Sequence, residues 1–103
     1  MDKHAKYLYV VRMDVEPESE KQFNEWYNEE HVPAFLKVPG VRGASRYASL
    51  EGAPKYVAIY ELDDPKVWNS EAWKKAVEMT PRPPGVTTKN ASRNLYERIY
   101  PPE

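Results

Sequence analysis

Phe23, Tyr27 and His31 stand four residues apart, and Pro33 follows two positions after the last of them. A spacing of four stacks side chains on one face of a helix. The three therefore form a stripe, with Trp26 and Glu30 beside it. The aromatic members turn toward a core, because nothing else would bury them. Val32 precedes proline, a position pushed away from helical backbone. The spacing thus predicts a helix that ends at His31, with the imidazole at a backbone break and at the edge of a cavity. A lone histidine on an apolar face is commonly a core residue satisfied by a backbone carbonyl. The functional alternative is a general acid/base or a polar anchor, because imidazole exchanges protons near neutral pH. Glu29 and Glu30 read as a solvated helix face. They and a helix C-terminus favour the charged imidazole, whereas burial among Phe23, Trp26 and Tyr27 favours the neutral one.

The elements around this stripe follow from local chemistry. Tyr7 to Val15 is rich in β-branched and aromatic residues and reads as a strand. Tyr7, Tyr9, Val11, Met13 and Val15 share one face, and Leu8 and Val10 the other, so both faces are apolar. Glu16-Pro17-Glu18-Ser19-Glu20 opens the helix, with proline in its first turn and carboxylates at the positive end of the dipole. Pro33 to Lys37 reads as a short extra turn, stopped by Pro39-Gly40. Val41 to Leu50 and Lys55 to Leu62 read as a hairpin around Glu51-Gly52-Ala53-Pro54. Asp63-Asp64-Pro65 caps a second helical region, Ser70 caps again, and Trp68, Ala72, Trp73, Ala76 and Val77 form its apolar stripe. Asn94 to Tyr100 alternates as a fourth strand.

This order is βαββαβ, an α+β ferredoxin-like arrangement: a four-stranded antiparallel sheet with both helices on one face. Its 103 residues fit one domain, residues 1–103. The second sheet face is left open and apolar, and a second copy of the chain is its simplest cover, hence a homodimer.

Charge and composition exclude several function classes. Fifteen basic against sixteen acidic residues give no electrostatic reason for nucleic acid or an anionic membrane as partner. The same topology hosts RNA-recognition motifs, but Lys55-Tyr56-Val57-Ala58-Ile59-Tyr60 lacks the glycine their third strand carries. With no cysteine, thiolate nucleophiles and cysteine metal sites are out. His4 and His31 are the only histidines, too few for a histidine metal site. Gly43-Ala44-Ser45-Arg46 is not a nucleophile elbow. No segment has the length of a membrane span and the start lacks a signal-peptide run, so a cytoplasmic protein is expected. Thirteen percent aromatic residues exceeds what a thin core needs, so some are expected to line a pocket or an interface. Arg46 either pairs across the sheet with Glu61 or Glu97, or anchors a ligand oxygen.

The segment Trp26-Tyr27-Asn28-Glu29-Glu30-His31-Val32-Pro33, continuing to Gly40, resembles the Trp-Tyr-x-x-x-His-x-Pro signature of EthD-like proteins of the dimeric α+β barrel superfamily. Arg46-Tyr47, the strand from Lys55 to Leu62 and Arg93-Asn94-Leu95-Tyr96 extend the resemblance over nearly the whole chain. The resemblance implies a homodimer whose two sheets close a barrel, and in each subunit a small-molecule pocket with His31 in its wall. Superfamily relatives include cofactor-free quinone-forming monooxygenases, muconolactone isomerases, polyketide cyclases and decarboxylases, and haem-degrading enzymes. The leading expectation is an enzyme that needs no cofactor or metal and acts on an aromatic or cyclic carbonyl compound. His31 would move a proton, Trp26, Tyr27, Phe35 and Tyr60 would form apolar walls, and Arg46 or Asn94 would hold an oxygen. Two alternatives are a haem-linked enzyme with His31 as iron ligand and a non-catalytic small-molecule-binding accessory protein.

Overall fold

Alternation along β1 (Tyr7–Val15) decides the layering. In the computed structural model, which describes residues 5–102 and so leaves His4 outside, β1 is a central strand. Tyr9, Val11, Met13 and Val15 face the helices and join the buried core with Phe23, Trp26, Phe35, Tyr60 and Trp73. The sheet order is β2-β3-β1-β4, with β2 at Val41–Ala48, β3 at Tyr56–Leu62 and β4 at Thr88–Glu97. All neighbours are antiparallel, so the fold is the expected α+β ferredoxin-like one. The helices lie on one face of the sheet; Leu8, Val10 and Ile59 lie on the other, where Val10 pairs with both Ile59 and Asn94.

The first helical rod differs from expectation. A 3-10 turn at Pro17–Ser19 leads into α1 (Glu20–Trp26). A π-helical turn, Tyr27–His31, follows, and α2 (Val32–Leu36) continues it. The helix does not end at His31. Val32 stays helical, with φ −60° and ψ −46°, and its amide donates to the Tyr27 carbonyl five residues back. Proline inside an α-helix clashes with the carbonyl four residues before it. Widening the turn just ahead of Pro33 shifts those carbonyls, and the rod passes through. A register of five also brings Trp26 against His31.

In the second helical region both caps form as expected, and Trp73 and Ala76 of the expected apolar stripe are buried, whereas Trp68 and Val77 are exposed. Asp64 accepts from the Lys66 amide at the start of the 3-10 turn Pro65–Val67, and Ser70 Oγ accepts from the Trp73 amide at the start of α3 (Glu71–Met79). β4 begins six residues before Asn94. Its Asn90 has a left-handed φ of 56°, and the β1–β4 register slips between Arg12 and Asp14. That irregularity fixes which β4 side chains face the helices. Among the described residues, no helix is long and apolar enough to cross a membrane.

Candidate functional site

Between the sheet and the helices lies a cavity of about 280 Å³. Its walls are mostly aromatic: Tyr9 and Tyr60 from the sheet, Trp26, Tyr27 and Phe35 from the first rod, Trp73 from α3. Rings in edge-to-face contact hold this wall rigid, Phe35 to Trp73 at 4.5 Å and Tyr9 to Trp73 at 5.2 Å between centroids.

His31 lies in this wall, and three rings clamp it. Trp26 stacks on it at 4.4 Å, Phe35 meets it edge-on at 4.8 Å and Tyr27 at 4.9 Å. The Trp26 contact is a product of the π turn, since residues five apart on an α-helix do not superpose. The partner of His31 is Thr80, the residue that closes α3. Nδ1 of His31 lies 2.9 Å from Thr80 Oγ1, and Thr80 Oγ1 donates to the Ala76 carbonyl at 2.8 Å. A hydroxyl has one proton to give. With that proton committed to Ala76, Thr80 accepts, so Nδ1 of His31 is the protonated nitrogen. In the neutral ring Nε2 is then left with a free lone pair.

Burial also sets the charge. Desolvation pushes the His31 pKa from its ordinary 6.5 to about 4; a hydrogen bond to the Thr80 backbone opposes this, and the Arg46 charge adds to it. The neutral form therefore prevails at pH 7. The opposing influence of a helix C-terminus is absent, because His31 is not at one, and Glu29 and Glu30 are exposed. Trp26 Nε1, buried in the wall, has no hydrogen-bond partner among the described residues, whereas the Tyr60 hydroxyl interacts with that of Tyr27. Burial raises the pKa of both Tyr27 and Tyr60, so both keep their protons.

The two residues expected to hold a ligand oxygen are placed elsewhere. Asn94 pairs with Val10 in the β1–β4 register and so shares the open face of the sheet, away from His31. Its neighbour Arg93, opposite Val11, is the β4 residue that lines the cavity. Arg46 is on the helix side but behind Tyr27, with its guanidinium 4.4 Å from that ring's centre. It donates to Asn28 Oδ1 at 2.8 Å and Asn24 Oδ1 at 2.9 Å. It pairs with neither Glu61 nor Glu97 and is not in the cavity wall. Sequence reasoning missed Thr80, Arg82, Arg93 and Trp73 as cavity residues. Trp73 had a signal, its place in the α3 stripe; the others show none. Among the described residues, no three His, Cys, Asp or Glu gather as metal ligands would.

A four-stranded antiparallel sheet with helices on one face is also the fold of solved EthD-type and monooxygenase-type proteins. The fold is shared with an EthD family protein from Bacillus halodurans C-125 at TM-score 0.60 and 18% identity, covering 90% of this chain and 99% of that one. It is shared with the haem degrader MhuD from Mycobacterium tuberculosis, a structure with two haems bound in its active site, at TM-score 0.69 and 13% identity over 90% and 95% of the chains. A monooxygenase from the ActVA-Orf6 gene of Streptomyces coelicolor, in complex with nanaomycin D, is similar at TM-score 0.63 and 16% identity over 94% and 90%. No curated protein matches the sequence. The chain belongs to the DUF4286 family, a domain of unknown function, whose model matches residues 6–79.

Proposed function

We propose that the protein is a cofactor-independent enzyme acting on a small aromatic or cyclic carbonyl compound held in this cavity, with His31 Nε2 as the proton acceptor. The single observation that carries this reading is the hydrogen-bonded chain from His31 Nδ1 through Thr80 to the Ala76 carbonyl. It fixes one tautomer and leaves the other nitrogen free.

Burial holds the His31 pKa at about 4, so the ring is neutral at pH 7 and its free nitrogen can accept a proton. A carbon next to both a carbonyl and an aromatic ring carries one of the more acidic C–H protons. Nε2 takes it, the C–H electron pair moves into the enolate, and charge appears on the oxygen. Trp26 Nε1 is the buried donor for that oxygen. Trp26, Tyr27, Phe35 and Tyr60 exclude water from the ring. The EthD-type and monooxygenase-type neighbours agree with small-molecule chemistry on this fold, without naming a reaction.

Haem fits in one respect only. A neutral imidazole with its other nitrogen hydrogen-bonded is a suitable iron ligand. The space is tight: about 280 Å³ is at the lower edge of small-ligand pockets, and its walls are mostly aromatic. Added haemin is therefore expected to give no stoichiometric, His31-dependent Soret band. As a homodimer, the protein would cover Leu8, Val10 and Ile59 with a second copy of the same face.

Exchange of the α-protons of 2-tetralone in D2O, followed by proton NMR, tests the reading. The wild type should accelerate exchange by on the order of 100-fold over His31→Gln, the range of a lost general base. Equal exchange with both proteins would overturn it.

A further inference from the structure

Two arginines reach the rim of the cavity from separate parts of the chain. Arg93 comes from β4, opposite Val11, and Arg82 from the loop after α3; both line the cavity. No single element forces them together. The cavity wall contains no carboxylate, in a chain whose basic and acidic residues nearly balance. Several other cations have partners: Lys55 with Glu20 at 2.8 Å, Lys89 with Glu16 at 3.2 Å, Arg46 with two asparagines. Arg82 spends one donor on Thr88 Oγ1. Arg93 makes no hydrogen bond or ion pair among the described residues. Its charge nevertheless acts on Tyr27 in the cavity wall.

We propose that the ligand of this cavity carries a carboxylate, anchored at the rim by Arg93 with Arg82 beside it, while its ring lies between Phe35, Tyr60 and Trp73. The proposal rests on the small-molecule reading above and narrows it. A guanidinium fork matches a carboxylate in shape and makes two charge-assisted bonds at once. An anion at the rim also keeps part of its hydration, which avoids the large cost of full burial. The apolar end would enter first, and the arginines would fix its depth relative to His31.

The test compares 2-naphthoate with its uncharged analogue 2-naphthamide, by quenching of protein tryptophan fluorescence, since Trp26 and Trp73 line the cavity. The acid should bind about tenfold more tightly than the amide, equivalent to about 1.4 kcal/mol. Arg93→Gln should bring the two within about twofold, leaving amide binding and melting temperature unchanged, because an exposed side chain without partners contributes little to stability. Arg93→Lys should retain part of the preference as a point charge without the fork, and added salt should weaken it in the wild type. Equal affinities with both probes in the wild type would overturn the carboxylate anchor and leave the small-molecule reading standing. A preference that survives in the Arg82→Gln/Arg93→Gln double variant would overturn it too. Binding of neither probe would remove both.

Discussion

The imidazole of His31 donates from Nδ1 to the hydroxyl of Thr80, 49 residues further along the chain and 2.9 Å away. Through this contact the end of α3 governs a side chain on the first helical rod. Thr80 is buried and its hydroxyl donates to the Ala76 carbonyl, so it is left to accept from His31 Nδ1. The relationship ties helix packing, tautomer and the free nitrogen in the cavity wall into one arrangement.

Thr80→Val keeps the shape and removes the hydroxyl. His31 Nδ1 and the Ala76 carbonyl each lose a partner in a dry environment. The expected cost is about 1–3 kcal/mol, read as a lower denaturant midpoint. The ring should then populate both tautomers, and the 2-tetralone exchange should slow although His31 is still present. Unchanged stability and exchange would show that Thr80 does not orient the ring.

The depressed His31 pKa makes stability depend on pH in a defined window. The group titrates near 6.5 when unfolded and near 4 when folded. Between those values the unfolded chain binds the extra proton, so stability falls as pH drops from about 6.5 toward 4. Between pH 7 and pH 5 the loss should be about 2 kcal/mol, or roughly 10 °C in melting temperature. Asp14 is held below its ordinary 3.8 chiefly by a hydrogen bond from Asn90, and Glu20 below its ordinary 4.5 chiefly by one from Lys55. Their effects come at lower pH, so the window belongs to His31. His31→Gln should flatten the profile there; an unchanged slope in that variant would assign it to another group.

The open sheet face gives a test of assembly. Ile59 is on that face, opposite Val10, and is only partly buried in the isolated chain. If two copies meet there, Ile59→Asp buries an unpaired charge at the interface. Light scattering should report a dimer for the wild type and a monomer for Ile59→Asp, with the helix and sheet signal retained in circular dichroism. A monomeric wild type at micromolar concentration would contradict the dimer.

The sequence made the fold legible because each element carries its own signal. The apolar alternation of β1, the Asp64 and Ser70 caps and the proline stops each specify local structure. It failed at Val32, where the rule that disfavours helix before proline was outweighed by a π turn. That turn needs the whole rod to be packed against the sheet, which no window of sequence reveals. The site was half legible. His31 and its aromatic neighbours share one helical rod, so spacing found them. The sequence points to Asn94 and shows no signal for Arg93, because the facing of β4 depends on the irregularity near Asn90 and on its register with β1. Thr80 and Arg82 come to the cavity only through the packing of α3. For Arg46 the sequence leaves open a cross-strand pair or a ligand oxygen, and the packed chain uses it for neither: it holds the outer face of Tyr27 through two asparagines one helical turn apart.

The central claim is that His31 is neutral near pH 7, protonated at Nδ1 and free at Nε2. Nitrogen-15 NMR of the imidazole, followed from pH 8 to the acid limit of folding, measures this directly. The account predicts a pyrrole-type Nδ1, a pyridine-type Nε2 and a midpoint of about 4. A midpoint near 6.5, or a ring with the proton on Nε2, would contradict it.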